Sequence, residues 1–333
     1  MVFSKAFLGL VLMKYVREGD LQGVKNCIVA DTIDPFCTVP YLTYATNNLL
    51  IHRFTKWDFG CEWTPLMYAI FNRQMLIVRY LVEEMKCELD QVDSFGVSAL
   101  WIAAENGYVI ELQYLLEKGA DKNKASNHGR SPVYIAARLG HLEAVQLLHD
   151  KGADMHKVTS NYSSPLCIAI QNGHLAVVQF LLDFCDVNVN ETPDLLSPLY
   201  LAAENGHLKL VQCLLAHNAN VNLASFSGAT PLFIAAQNGH LTVVDCLLKK
   251  GANIDKVARY NNVNGVTPLD IAIQSSQSNG ERSKEYLEVI KSLNEHILKQ
   301  QNACVAVLVA DAVAVSTTDD DEVAEPFSKR LRR

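Results

Sequence analysis

A short motif recurs along this chain at an almost constant interval. Its form is Ser or Thr, Pro, an apolar residue, two variable residues and Ala, and it begins at Thr64, Ser131, Ser164, Ser197, Thr230 and Thr267. Ser98-Ala99-Leu100 is a variant at the one missing position. From residue 99 to residue 231 the spacing is 33 residues four times in succession, and the two end intervals are 34 and 37. A fixed period of this length predicts a stack of similar units rather than a single closed globule.

The segment 127–154 shows how one unit is built. Ser131 can cap a helix whose first turn contains Pro132, where the missing N–H has no consequence. Gly140 provides the left-handed residue that ends this helix. A second helix then begins near Leu142 with an apolar stripe on one face. One helix pair cannot bury both of its faces, so we expect the units to stack.

These residues resemble the ankyrin repeat, a unit of helix, turn, helix and projecting β-hairpin, which we call the finger. The matching strings are SPVYIAARLGHLEAVQLLHDKGAD, SPLYLAAENGHLKLVQCLLAHNAN and TPLFIAAQNGHLTVVDCLLKKGAN. The resemblance implies an all-α dominated repeat solenoid of stacked helix-turn-helix units with short β-hairpin fingers.

The same frame divides the chain into four segments. Residues 1–30 resemble an N-terminal capping repeat, and 31–60 form an irregular insertion. Residues 61–300 are expected to hold about seven repeats, the last of them irregular. Residues 301–333 combine an acidic block with a basic end, which predicts a flexible tail.

The chain departs from the ankyrin pattern at two sets of positions. The family's histidine after Thr-Pro-Leu is absent throughout, so we expect loop bracing from packing, tyrosine hydroxyls or the Trp101 N–H. The finger glycine is present at Gly96, Gly129, Gly228 and Gly265 but is replaced by Glu62, Tyr162 and Leu195. Because bulky residues disfavour positive φ, we expect differently shaped fingers at those three units.

Composition and spacing argue against several function classes. The net charge of −7 disfavours binding to nucleic-acid phosphates, and no apolar run reaches the ~18 residues of a membrane span. Turn histidines recur at His141, His174, His207 and His240. Equivalent residues on helices ~8–10 Å apart cannot share a metal ion with ~2 Å bonds, so we interpret them as structural.

The sequence also lacks the signs of catalysis. It contains no G-x-S-x-G, P-loop or G-x-G-x-x-G motif, and we predict no enzyme activity, cofactor or metal. One alternative stays open, an enzyme or small-molecule sensor that uses the 31–60 insertion.

Two sets of residues are candidates for binding a partner protein. Polar pairs end the first helix of four repeats, where the resemblance implies a concave groove: Glu105-Asn106, Gln171-Asn172, Glu204-Asn205 and Gln237-Asn238. Their alternative role is helix capping. Apolar residues and one arginine fall in the fingers, and exposed side chains of these types anchor interfaces: Trp63, Phe95, Arg130, Tyr162, Leu195, Leu196, Phe226 and Tyr260. Their alternative role is packing between adjacent fingers.

We therefore predict a non-enzymatic, monomeric adaptor that binds one or more proteins in the cytoplasm. The basic end Lys329–Arg333 also fits a minimal nuclear-localisation pattern. A second alternative is a bacterial effector delivered into a host cell, because the acidic and apolar end resembles type IV secretion signals.

Overall fold

The computed structural model describes residues 5–29, 63–192, 195–278 and 283–318. The whole insertion at 31–60, the residue Glu62 and the tail beyond 318 lie outside the described residues. The chain divides into two compact units, Met1–Phe226 and Ser227–Arg333.

The described part of the first unit consists of successive helices. They are α1 (Lys5–Glu18), α2 (Leu21–Val29), α3 (Pro65–Phe71), α4 (Met75–Arg79), α5 (Ala99–Glu105), α6 (Val109–Glu117), α7 (Pro132–Leu139), α8 (Leu142–Asp150), α9 (Pro165–Gln171), α10 (Leu175–Phe184), α11 (Pro198–Glu204) and α12 (Leu208–Ala216). The helix α4 continues as a π-helical turn over Tyr80–Glu84. Whether residues 1–30 form a capping repeat stays a prediction.

A side-chain cap starts the first helix of each repeat. The Ser131 hydroxyl accepts the backbone N–H of Tyr134, three residues further on. The same bond recurs at Thr64, Ser98, Ser164 and Ser197. The recurring Ser/Thr is therefore the residue that fixes where each helix begins.

The repeats pack in two layers within the first unit. The first helices α3, α5, α7, α9 and α11 contact one another in series, and so do the second helices α6, α8, α10 and α12. The paired alanines of α5 and α7 are fully buried between neighbours: Ala103, Ala104, Ala136 and Ala137. Their small side chains allow neighbouring helices to approach closely.

The turn histidines connect successive repeats by what we call the turn latch. His141, at the start of α8, places Nε2 2.9 Å from the carbonyl oxygen of Glu105, at the end of α5. Its ring lies against Gly107, where a Cβ would come 2.8 Å from Nδ1. His174 makes the equivalent contact with the carbonyl of Arg138, at 2.9 Å. These two histidines act structurally, as we interpreted them.

Nearer the N-terminus the turn latch uses other side chains. The Gln74 carboxamide reaches the carbonyl of Arg17 at 3.5 Å. At the next junction the guanidinium of Arg73 lies 4.9 Å from the centre of the Tyr108 ring, and its Nε is 3.3 Å from Glu111 Oε1. The side-chain chemistry that joins successive turns therefore changes along the stack, from an amide to a cation–π pair to an imidazole.

Trp101 provides the bracing that we expected from its N–H. Its indole Nε1 donates to the carbonyl of Arg130 at 3.0 Å, which joins α5 to the finger of the next repeat. The ring itself is 3% exposed, so the bond is shielded from water.

The described second unit contains four helices and one hairpin. These are α13 (Pro231–Gln237), α14 (Leu241–Lys249), β1 (Ala258–Tyr260), β2 (Val263–Val266), α15 (Pro268–Ser278) and α16 (Ser283–Thr318). The strands are antiparallel, with Ala258 opposite Val266 and Tyr260 opposite Val263. Asn261 and Asn262 form the turn with φ of 48° and 64°, as two-residue hairpin loops require. The longer interval of 37 residues therefore produces a longer finger.

Helix α16 differs from expectation at its end. It continues through Thr318, across the boundary at residue 300 where we predicted a flexible tail. None of the described helices is both long enough and apolar enough to cross a membrane.

In the second unit, Tyr286 of α16 makes the contacts that a turn histidine makes in the first unit. Its hydroxyl donates to the carbonyl of Gln237 at 3.0 Å, and its ring lies 3.3 Å from the Cβ position of Gly239. The side chain is 2% exposed. A tyrosine from a distant helix therefore closes the last turn latch.

We predict that Tyr286→Phe lowers the free energy of unfolding by about 1 kcal/mol, the usual net value of one hydrogen bond. The ring and its packing are retained, so the loss reports the bond to Gln237 alone. Urea denaturation of the full chain measures it. Tyr260→Phe is the control, because that hydroxyl has no hydrogen bond among the described residues, and an equal loss in both variants would contradict the latch.

His217 at the end of α12 makes a second kind of connection. Its Nδ1 lies 2.9 Å from the carbonyl of Cys213, and its Nε2 lies 2.8 Å from Asp183 Oδ1 on α10. Both ring nitrogens face acceptors, so the protonated ring satisfies both bonds. The Cys213 carbonyl first, and then Asp183, raise the pKa of His217 above its ordinary value of 6.5.

A raised pKa in the folded state means that His217 stabilises the fold most at low pH. The contribution is complete below pH 6.5 and is lost as pH rises through the higher folded pKa. We expect His217→Gln to destabilise the chain at pH 6 by no more than about 1 kcal/mol, since the pair is partly exposed, and less at pH 9. Urea midpoints across this range measure the difference, with exposed His156→Gln as control. A loss independent of pH would contradict this role.

Candidate partner-binding surface

The asparagines at the first-helix ends act as helix caps. Asn106, Asn172 and Asn205 each donate Nδ2 to the carbonyl four residues earlier, at 2.9, 2.8 and 2.9 Å. The capping role is therefore shown for these three. Their carboxamide oxygens, and the half-buried side chains beside them, keep the predicted groove polar: Glu105, Gln171, Glu204, Gln237 and Asn238. A role in partner binding stays a prediction for both sets.

Several of the predicted finger anchors pack within the fold. Trp63 makes edge contacts with the rings of Tyr68 and Phe71, at centroid distances of 5.5 and 5.3 Å. Phe95, Arg130, Leu196 and Tyr260 are half-buried. These side chains offer a partner less surface than the sequence suggested.

Three finger residues remain well exposed, and we call them the finger-tip row. Tyr162 is 64% exposed, Leu195 is 60% and Phe226 is 91%. They occupy successive fingers of the first unit, 33 and 31 residues apart. Tyr162 and Leu195 stand at the finger-glycine position of their repeats, and Phe226 lies two residues before Gly228. Large apolar side chains held in water in successive fingers mark a candidate interface.

Our expectation about finger shape was wrong at two of the row's residues. Tyr162 and Leu195 adopt φ of 59° and 68°, close to the 75° and 74° of Gly96 and Gly129. The backbone keeps the glycine conformation although each residue carries a side chain. Both residues therefore adopt a left-handed conformation that costs an L-amino acid roughly 1–2 kcal/mol.

The glycine fingers, in contrast, fit closely together. The Asn127 N–H donates to the Phe95 carbonyl at 2.9 Å. A Cβ on Gly96 would lie 2.7 Å from that same nitrogen. After Tyr162 the equivalent donor, 32 residues beyond Asn161, is Pro193, which has no N–H. Pro193 therefore cannot donate the finger-to-finger backbone bond that Asn127 donates. This sequence signal was not among our predictions from the sequence.

The structure also reveals surface features that sequence reasoning did not find. Leu76, Ile110 and Phe184 are 71%, 64% and 66% exposed on second helices. In the second unit a cavity of about 680 Å³ lies between the hairpin, α15 and the end of α13. Gln237, Asn238 and Tyr260 are the lining residues that we had singled out as binding candidates.

Burial affects the acidity of several of the described thiols. Burial raises the pKa of Cys87 to about 11 and that of Cys185 to about 11, which keeps both thiols protonated at neutral pH. Burial, and secondarily Asp183, raises the pKa of Cys213. Among the residues that the structure describes, no group of three or more His, Cys, Asp or Glu side chains is arranged to hold a metal.

Comparison with known proteins agrees with the helix-pair architecture. The family model described as "Ankyrin repeats (3 copies)" matches residues 12–126, 66–159, 133–225, 166–258 and 199–301. No curated protein sequence matches the chain significantly.

Two solved structures show the same fold. The chain is similar to the ankyrin repeat domain of Bcl-3, described as a unique member of the IkappaB protein family, with 26% identity and a TM-score of 0.56 over 63% of this chain and 93% of that one. It is similar to the human ASB11 ankyrin repeat domain with 28% identity and a TM-score of 0.57 over 63% and 91%. The fold class is thus the helical repeat solenoid with short hairpin fingers that the sequence predicts, and the chain belongs to the ankyrin-repeat family.

Proposed function

We propose that the chain is a non-enzymatic adaptor whose finger-tip row anchors a partner protein. Ankyrin repeats are in general protein–protein interaction modules. The observation that carries the proposal is the exposure of Tyr162, Leu195 and Phe226 in three successive fingers. Apolar anchors of this size provide most of the energy of many interfaces.

Backbone strain at two of its residues also supports the finger-tip row as the binding surface. Tyr162 and Leu195 hold a conformation that glycine adopts without cost, and both then direct their side chains to solvent. Neither gains the core contacts that would offset this cost. Local strain retained without a packing benefit is typical of functional positions.

The polar helix ends complete the proposed interface. Asn172 and Asn205 are exposed, and their carboxamide oxygens can accept hydrogen bonds while their amides cap the helices. The partner would thus meet apolar fingers on one side and polar groups on the other, as in ordinary interfaces.

The remaining alternatives depend on residues outside the described part of the chain. The enzyme or sensor hypothesis concerns 31–60, and the nuclear and secreted-effector hypotheses concern the tail to Arg333. These, together with cytoplasmic location and the monomeric state, stay predictions.

Partner capture tests the proposed interface. We expect the triple variant Tyr162→Ser, Leu195→Ser and Phe226→Ser to lose at least about tenfold of the partner captured by the full chain, because it removes the apolar anchors. Quantitative mass spectrometry of proteins captured from lysate of the producing cells measures the loss.

A matched control removes three equally exposed apolar residues elsewhere in the same unit. The variant Leu76→Ser, Ile110→Ser and Phe184→Ser should retain the partner. If both triple variants lose it equally, or if the finger-tip variant captures as much as the unchanged chain, the proposal is wrong.

The strain predicts opposite effects of one substitution on stability and on binding. Tyr162→Gly removes the strain of a positive φ in the folded state, but glycine also raises the conformational entropy of the unfolded chain. We expect a net stabilisation of about 0.5–1 kcal/mol. The same change should weaken partner binding. Tyr162→Ala keeps the strain and also loses the ring, so it should weaken binding without stabilising the fold. Urea denaturation and partner titration measure the two effects, and a destabilised Tyr162→Gly variant would contradict the strain.

A further inference from the structure

The glycine of the last finger faces open space. A Cβ on Gly129 would lie 2.9 Å from the backbone nitrogen of Ser160, and one on Gly228 would lie 3.0 Å from the carbonyl oxygen of Val257. In both cases the obstacle is the main chain of the following finger. A Cβ on Gly265 would meet no atom within 4 Å.

The space beside Gly265 corresponds to a position that main chain fills elsewhere in the stack. Ser160 N–H donates to the His128 carbonyl at 3.1 Å, and Arg259 N–H donates to the Ser227 carbonyl at 2.8 Å. After β2 the described chain continues as α15 and α16, which contribute no further finger. Gly265 nevertheless keeps φ of 81°, the conformation of the occupied fingers. We call this open position the Gly265 slot.

A cavity adjoins the strand that borders the slot. Val263 belongs both to β2 and to the lining of the 680 Å³ cavity. That volume lies in the range of protein binding pockets. The strand that borders the slot therefore also borders the cavity, at Val263.

The lining of this cavity is mainly polar and includes one imidazole, that of His240. Its carboxamides come from three elements: Gln237 and Asn238 at the end of α13, Asn261 of the hairpin, and Gln274 and Gln277 of α15. None of its lining residues is Lys, Arg, Asp or Glu. A carboxamide both donates and accepts hydrogen bonds, as a peptide group does. Such a lining suits polypeptide main chain and small polar side chains, and it disfavours burial of an unpaired charge.

We propose that the Gly265 slot and the adjoining cavity bind an extended, uncharged segment of the partner polypeptide. The segment adds to the free edge of β2 by main-chain hydrogen bonds, in the place of a following finger, and its side chains enter the cavity. This inference rests on the proposed function, namely that the chain binds another protein, and it names the chemistry of the segment bound.

The chain's own tail suits the site less well. Residues 319–333 contain five carboxylates and four basic side chains, whereas the cavity lining has no Lys, Arg, Asp or Glu to pair with them. An uncharged segment of another protein therefore fits the site better.

A random heptapeptide library selected on the full chain provides the probe. We expect the enriched peptides to be depleted in Asp, Glu, Lys and Arg. One enriched peptide is then synthesised in two forms, unmodified and N-methylated at alternate backbone amides, and its Kd is measured by calorimetry. N-methylation removes main-chain donors without changing side chains, so we expect at least about a tenfold loss of affinity.

Two glycine variants locate the site. Gly265 and Gly251 both have φ of 81°, and a Cβ on either meets no atom within 4 Å. Gly265→Ala and Gly251→Ala therefore introduce the same backbone strain without a clash, and their thermal stabilities should match. Only the Gly265→Ala methyl enters the slot, so this variant should bind the peptide at least about tenfold more weakly than Gly251→Ala.

Several results would overturn the inference. They are an absence of enriched peptides, enrichment of charged ones, equal affinity for the N-methylated form, and equal binding by the two glycine variants. Binding that appears only after deletion of 319–333 would show that the tail occupies the slot. In each case, a partner still lost by the Tyr162, Leu195 and Phe226 triple variant would leave the proposed adaptor function standing.

Discussion

Close approach of the main chain between successive repeats is the constraint on which the rest of the structure depends. The turn histidines reach a carbonyl of the preceding repeat across a glycine, and a Cβ at Gly107 would displace the His141 ring. The same requirement appears at the fingers, where Gly129 admits the backbone of Ser160. Glycine is needed at these points for space as well as for positive φ.

The finger-tip row and the Gly265 slot, the two surfaces that we propose for binding, both depart from this packing. At Tyr162 and Leu195 the glycine is lost but its conformation is kept, and the side chains lie in solvent. The sequence also has Pro193, which cannot donate a backbone hydrogen bond, where other fingers have the donor. At Gly265 the glycine is kept but the following finger is absent from the described chain. The first departure exposes apolar side chains, and the second exposes a main-chain edge. Both are surfaces that another protein can cover.

The sequence predicted the repeat because its signals are local. Ser131 as a cap, Gly140 as a left-handed terminator and the buried alanines each act within one or two turns of their own position. The Tyr286 latch could not be predicted in this way, because its partner Gln237 lies 49 residues away and only the fold joins them. The exposure of the finger residues could not be predicted from the sequence either. Trp63 and Phe226 are both finger aromatics, but Trp63 packs on Phe71 of the helix that follows it, whereas Phe226 lies in water. The cavity is lined by four elements that are separated in the sequence, namely α13, the hairpin, α15 and α16, so no single segment of the sequence predicts it.

The central claim is that partner binding covers the finger tips rather than the exposed second-helix residues. Amide hydrogen–deuterium exchange of the full chain, with and without its captured partner, tests this most directly. The account predicts slower exchange on binding at residues 158–163, 195–197 and 225–228, and at the hairpin 258–266. Protection confined to the second helices around Leu76, Ile110 and Phe184, with the fingers unchanged, would contradict it.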